Sequence, residues 1–446
     1  MGPTAQTPQT DGMLRPRLDE QLKMIHPLIR LSSLMDWQRI EADFSKHFAS
    51  TRGRPALSAR LIAGLLYLQH ANDASDQAMV ATWLENPYWQ YFCGETYLQT
   101  ELPIDSSGLT RWRKRIGEEG VEVLLAVTID AARAAGLIKK SSVDKVIVDT
   151  TVMPKAIAHP TDSRLLAKSR QHLIKLADEH DIDLRQNYNR QAPRMAAHVG
   201  RNVHAKQYKH LRKAVKTRVG RVHREFQHKL EQLQDSAQPK AKDLLHRVRR
   251  ILTQQTKDKN KLYALHAPEV ECISKGKART PYEFGVKVTI ATTLKEGLVV
   301  GMRSMPGNPY DGHTLQETIE QVEILTDKRP SIAIVDKGYM GAELAGTQIL
   351  RSGQRTGVTQ AMKAMIKRRS AIEPAIGHMK MDDRLGRNPL RGAIGDALHA
   401  VLCGAGHNIR MLIKKLRLLC ALYGLSVRGL LQGVQQMQQN QFHSAA

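Results

Sequence analysis

The chain has 446 residues, 41% of them hydrophobic and only 5% aromatic, and 67 Lys plus Arg against 43 Asp plus Glu give a formal charge of +24. That length suggests about three domains, and the charge excess points to a polyanionic partner rather than to solubility alone. No apolar run reaches membrane-spanning length, the start lacks a signal peptide's hydrophobic segment, and Cys93, Cys272, Cys403 and Cys420 show no metal-ligand spacing, so no membrane contact, disulfide or zinc site is expected and a reducing cytoplasm fits.

Residues 1–20, rich in Thr, Gln, Pro and Gly, read as a flexible tail. From Leu22 to about Gly117 the pattern is helical, and residues 21–140 are expected to form a helical DNA-binding domain. Ser58 caps the apolar run ARLIAGLLYLQHA, and DASDQAMVATWLE follows after Asn72. Asp105 or Ser106 then caps a short helix that carries Arg111, Arg113, Lys114 and Arg115, with Trp112 available for packing. Two short helices, a polar turn and a basic helix resemble a helix-turn-helix in outline, which makes those four cations the expected DNA contacts. A further helix from Gly120 to about Ala135 leads into a strand, Lys145 to Asp149.

Residues 163–265 are almost purely helical in pattern. Apolar side chains recur at Tyr208, Leu211, Val215, Val219, Val222, Phe226, Leu230 and Leu233 in steps of three, four and four. This eleven-residue period keeps the seam nearly straight. After a break at Ser236 to Pro239, a second seam runs through Leu244, Leu245, Val248, Ile251, Leu252 and Leu262, so an antiparallel helical hairpin is expected as an insertion. Between Arg201 and Lys229 stand ten Lys or Arg against the single acid Glu225. A solvated face ordinarily mixes signs. A phosphate backbone is the expected partner here, through Lys206, Lys209, Arg212, Lys213 and Lys216 among others, and a partner protein's acidic surface is the alternative.

The pattern then turns to strands. YEFGVKVTIATT and LVVGMRSM form a β-hairpin around Lys295-Glu296-Gly297, and Asp311 is placed to cap HTLQETIEQVEIL. SIAIVD is a strand ending at Asp336; a helix near Ala361 to Met379 carries Glu373, and Asp396 opens an apolar helix to about Leu419, before a tail over 421–446. With the insertion removed, the order strand, strand, strand, helix, strand, helix is that of a ribonuclease-H-like sheet. The expected fold is therefore mixed α/β, with a catalytic domain built from 141–162 and 266–420.

Val146-Ile147-Val148 and Ile332-Ala333-Ile334-Val335 read as buried strands, and each delivers an aspartate, Asp149 or Asp336, to its end. With a helical glutamate, Glu373, they make up the donor set that holds two divalent cations for phosphodiester chemistry. Arg369 and Lys380 lie four before and seven after Glu373, on one helical face, where they can hold DNA phosphates beside the acid. Taken singly, these residues have commoner uses, as turn formers or a surface ion-pair ladder.

The runs DTTVMPKAIAHPTDSRLL (149–166), EFGVKVTIATT (283–293), GNPYDGHTL (307–315), VDKGYMG (335–341) and RRSAIEPAIGHMKMDDRLGRNPLRGAIGDALHAVLCGAGHNIR (368–410) resemble bacterial insertion-sequence DDE transposases. The closest likeness is to the insertion-sequence-five group, whose helical N-terminal domain RGRPALSARLIAGLLYLQH also resembles. The resemblance implies a metal-binding triad of Asp149, Asp336 and Glu373 holding two Mg2+, with Mn2+ as a substitute. In the family's Tyr-Arg-Glu-Lys spacing, Arg369, Glu373 and Lys380 match while Ile366 stands at the tyrosine position; His313 and Asp162 fall in motifs as supporting residues. It also implies binding to the terminal inverted repeats of an element in double-stranded DNA, cleavage that frees a 3′-hydroxyl, and attack of that hydroxyl on target DNA. A homodimer or larger assembly in the bacterial cytoplasm, at the nucleoid, goes with that activity. Two alternatives stay open: a nuclease of the same fold without strand transfer, and a non-catalytic DNA-binding protein.

Overall fold

The computed structural model describes residues 15–47, 57–191, 194, 206–255, 257–274, 276 and 281–444; residues 1–14 of the tail expected over 1–20, and Arg201, lie outside them. Helices come first: α1 (Leu18–Gln21), α2 (Pro27–Leu34), α3 (Trp37–Lys46), α4 (Ala59–Ala71), α5 (Asp76–Glu85), α6 (Pro87–Phe92) and α7 (Ser106–Ala134). Their starts follow from local chemistry. Asp36, Ser58, Ser75, Asn86 and Asp105 each accept a backbone N–H of the following first turn, satisfying a donor the helix itself leaves unpaired. The two helices expected around Gly117 are one element with a break, because Gly117 takes φ 62°, a left-handed value glycine adopts without a Cβ penalty.

One mixed sheet follows, of β1 (Lys145–Pro154), β2 (Glu271–Ser274), β3 (Tyr282–Thr293), β4 (Val299–Met305), β5 (Ile332–Val335) and β6 (Gln348–Arg351). Its path is β2-β3-β1-β5-β6, with β4 also paired to β3. β1 runs antiparallel to β3 from Val146 opposite Thr293 to Pro154 opposite Gly285, and a Cβ on Gly285 would stand 2.0 Å from the Met153 carbonyl oxygen. Only glycine fits that approach. Against β5, β1 is parallel and pairs only over Lys145–Ile147. The reading of Asp149 as a strand exit is thus corrected: it lies in mid-strand, because Thr150 to Pro154 are held by the long β3 after β5 has ended.

A single hydrophobic core runs from Leu28 of α2 through Tyr67, Trp83 and Leu124 to Val148, Ile290 and Ile334 of the sheet, and on to Leu412. The helical insertion packs around its own core. Among the described residues it holds three helices instead of the expected hairpin: α8 (Asp162–Asp178), α9 (Lys206–His228) and α10 (Gln238–Thr253). The reason is in α8, whose Leu165, Leu166, Leu173, Ile174 and Leu176 form an apolar stripe that needs a partner and is buried against the seam residues Val215, Val219, Val222 and Phe226. Beyond β4 lie α11 (Asp311–Thr326), α12 (Gln360–Arg368), α13 (Ile372–Asp382) and the long α14 (Gly392–Ser444), which continues through the region read as a tail. The helix expected over 361–379 is broken by a 3-10 turn, Arg369–Ala371. Pro374 explains the break, since it lacks an N–H for the Ser370 carbonyl and its ring would collide with it in a regular helix.

Candidate active site and nucleic-acid interface

Parallel pairing of β1 with β5 sets the first two acids. Ile147 is opposite Ile334, so Asp149 and Asp336 each stand two residues past the same rung and, by the two-residue period of strands, on the same face. Asp336 opens the 3-10 turn Lys337–Tyr339 and accepts the Gly338 N–H at 2.8 Å. Asp149, with a side chain 13% exposed, accepts the Thr150 N–H at 2.8 Å and the Arg369 guanidinium at 2.9 Å. Burial, aided by the Asp336 charge, lifts the Asp149 carboxyl above the ordinary range although Arg369 opposes the shift.

Glu373 occupies the first turn of α13, exposed, with the same Arg369 guanidinium 3.5 Å away. One cation therefore ties the strand aspartate to the helical glutamate. The carboxylate oxygens are hard donors suited to magnesium or manganese, and the raised Asp149 carboxyl is an acid that a cation would relieve. In this arrangement they do not close to a common coordination sphere: among the described residues, the acidic, histidine and cysteine group whose ligand atoms all lie within 4.8 Å of one another is a different one, His70, His399 and Cys403.

The site has a fourth acid that the sequence reading assigned to a helix cap. Asp311 makes no cap bond. Its Oδ1 instead accepts from Thr150 Oγ1 at 3.1 Å and Lys287 Nζ at 2.8 Å. Its Oδ2 and Asp336 Oδ1 each lie 3.0 Å from the point a Cβ on Gly338 would occupy, hence no more than 6.0 Å from each other. Beneath them the phenol of Tyr339 is buried, its pKa driven up by that burial and then by Asp149, Asp311 and Asp336 together. The run GNPYDGHTL held the signal: Asp311 falls among motif residues and lacks the glutamate three positions on that would complete a capping box.

Other expected residues fall in varied places. Lys380 is ion-paired to Glu283 at 3.6 Å. Asp396 is not a helix opener: α14 begins at Gly392, and Asp396, 3% exposed, accepts from Lys155 Nζ at 2.7 Å and from Asn388 Nδ2 at 2.6 Å, while Glu269 shares the same ammonium. Burial pushes its carboxyl up to about 6. Arg111, Lys114 and Arg115 are exposed along the first half of α7. Arg113 is not: it is 2% exposed and grips Asp76 through both terminal nitrogens. Leu109, Trp112, Arg113 and Ile116 share the packed face, at spacings of three, four and seven, so position overrides charge. In α9, Lys213 and Lys216 are exposed and Arg212 is paired with the motif acid Asp162. Lys206 and Lys209 start the same helix, with side chains outside the described set. His313 packs edge-on against Tyr310. A recess of about 300 Å³ between α8, α10 and Arg391 is lined by Lys175, Lys240 and Arg247 together with the acids Glu179 and Asp243, and by His172 and His266, whose imidazoles burial shifts toward the neutral form.

Comparison with known proteins fits this geometry. A family model described as Transposase domain (DUF772) matches residues 16–115, and one described as Transposase DDE domain matches 251–409, which includes Asp336 and Glu373. A Rhizobium meliloti protein, "Uncharacterized protein ORF8 in nfe locus", is 45% identical over 208 residues, covering 47% of this chain and 100% of that protein. No solved structure matches. Among the described residues no helix is long and apolar enough to cross a membrane. The chain belongs to the DDE transposases, enzymes that cut and transpose DNA.

Proposed function

We propose that this protein binds the terminal inverted repeats of its own insertion sequence, cuts a strand at each end, and joins the freed 3′-hydroxyl to target DNA. The observation that carries the reading is the meeting of Asp149 and Asp336 past one rung of the sheet, with Glu373 tethered to Asp149 through Arg369. The path β4-β3-β1-β5-β6, antiparallel on one side and parallel on the other, supports a ribonuclease-H-like core.

Asp149, Asp336 and Glu373 would hold two Mg2+, or Mn2+ in their place, which when bound supply charge for the crowded phosphate and lower the pKa of an oxygen nucleophile. The chain's own residues then do the positioning. The Thr150 N–H fixes one oxygen of Asp149, and Lys287 with Thr150 holds Asp311 beside the pair. Arg369 is placed to take phosphate oxygens in both terminal nitrogens once its carboxylates are engaged elsewhere. Lys380 joins it from α13, the helix that follows the 3-10 turn of Arg369. Arg111, Lys114 and Arg115 of a DNA-binding region over 21–140, and Lys206, Lys209, Arg212, Lys213 and Lys216 of the insertion, would track the backbone of double-stranded DNA. Two element ends must be held together, which calls for a homodimer or larger assembly at the nucleoid.

The test uses purified protein, Mg2+ and pre-cleaved duplexes carrying the element's end beside a target plasmid. Joined product is the expected result. Hydrolysis without joining would instead identify a nuclease of the same fold. A second prediction separates the cations of α7. Arg113→Ala takes the guanidinium from a largely buried Asp76, which keeps Gln69 and Thr110 as partners, and costs about 3 kcal/mol of stability, read as a lowered Tm, with the salt dependence of DNA binding unchanged. Lys114→Ala leaves Tm alone and reduces the slope of log K against log salt by about 1.

A further inference from the structure

His70 ends α4 while His399 and Cys403 stand one turn apart on α14, and all three are buried. The two helices meet almost backbone to backbone there: a Cβ on Gly406 would lie 2.7 Å from His70 Cβ. We propose that His70, His399 and Cys403 bind one borderline metal ion, with the chemistry of zinc, that pins α4 to α14 just beyond the segment carrying Glu373.

The ring nitrogens already have the required division of labour. His70 Nδ1 lies 3.0 Å from the Leu66 carbonyl and His399 Nε2 3.0 Å from the Arg384 carbonyl. A carbonyl only accepts, so those nitrogens carry the protons and His70 Nε2 and His399 Nδ1 present lone pairs. Fixing the second nitrogen on a backbone carbonyl is how metal-binding histidines are commonly oriented. His70 Nε2 is buried with no hydrogen-bond partner, an acceptor left in a dry interior at real cost unless something occupies it.

One ring nitrogen of each histidine and the Cys403 sulfur lie within 4.8 Å of one another. A tetrahedral zinc with its usual bond lengths spaces such atoms about 3.3–3.6 Å apart, so side-chain rotation of about an ångström completes the set and water fills the fourth position. Nitrogen and sulfur donors exclude magnesium and suit zinc. The surroundings accept a cation. Arg113 is neutralised by Asp76, and Lys155 by Glu269 and Asp396. Arg384 faces Asp76 and Asp73, while Asp383, fully buried near Cys403, is balanced by His407 Nδ1 and Arg410 Nε, each 3.4 Å from one of its oxygens.

Full-length protein stripped with a chelator and titrated with Co2+ gives the measurement. One equivalent is expected to produce tetrahedral cobalt bands and a thiolate-to-cobalt charge-transfer band, unaffected by excess Mg2+ and bleached by Zn2+. Zinc should also raise Tm by about 2 °C or more. The charge-transfer band should vanish in Cys403→Ser, weaken at least tenfold in apparent affinity in His70→Gln, and persist in Asp149→Ala, so this site stands or falls independently of the carboxylate site. A wild-type protein without the band, or a Cys403→Ser protein that retains it, overturns the proposal.

Discussion

Asp149→Ala is expected to lose strand cleavage by about 10³-fold or more, on the scale of removing a preorganised electrostatic group from a phosphoryl-transfer site, while binding of duplexes bearing the element's end stays equal or tightens. The two halves of that result have separate causes. Asp149 is enclosed, with a side chain 13% exposed against 63% for Glu373, and is held by the Thr150 N–H and Arg369, so the exposed glutamate cannot substitute for its oxygens. Removing it also removes a negative charge from the path of a phosphate and leaves Arg369 only Glu373 to neutralise. The fold should not suffer. Burial already disfavours the charged form of this carboxyl, so Asp149→Asn, which keeps the shape and loses the charge, should melt no lower than wild type. Cleavage of labelled end DNA, gel-shift affinity and Tm measured on the same preparations give all three readouts. A non-catalytic DNA-binding protein makes the opposite forecast, with Asp149→Ala, Asp336→Ala and Glu373→Ala indistinguishable from wild type in every assay except affinity.

The acids were legible because strand chemistry is local: β-branched residues crowd before Asp149 and Asp336, and such runs rarely serve anything but a buried strand. Register was less legible. The threonines and valine after Asp149 extend β1 on the strength of pairing with β3, a partner more than a hundred residues away that no local signal names. Asp311 and Asp396 were both read as helix openers from a true regularity, acids near helix starts. Tertiary partners took them instead: Lys287 and Thr150 for the first, Lys155 for the second. Arg113 differs from its cationic neighbours by helical face: Leu109, Trp112 and Ile116 mark that face as the packed one, where Asp76 takes the charge. The His70, His399 and Cys403 cluster could not be found from spacing at all, since its ligands come from opposite ends of the chain and only the packing of α4 on α14 unites them.

Arg369→Ala should split metal affinity from turnover. In the DNA-free protein this guanidinium neutralises Asp149 at 2.9 Å and lies 3.5 Å from Glu373, which makes it a competitor of any divalent ion seeking the same oxygens. Its removal leaves two acids without their counter-charge, and Mn2+ binding to the free protein, followed by paramagnetic resonance, should strengthen about tenfold, the size of one exchanged ion-pair contact of about 1.4 kcal/mol. Cleavage should nevertheless fall about 10²-fold, because the planar group able to grip a phosphate through two nitrogens is gone. Arg369→Lys distinguishes charge from shape. An ammonium keeps the positive charge but cannot span both carboxylates or hold a phosphate in the same forked geometry, so it should restore wild-type Mn2+ affinity more fully than it restores cleavage. Were affinity and cleavage to fall together in Arg369→Ala, the guanidinium would be a scaffold that merely gathers the acids, and its place in handling phosphate would have to be given up. On the proposed reading the same contacts would serve both states: an arginine that holds the carboxylates together before DNA arrives would, on release, already stand beside the phosphate they act on.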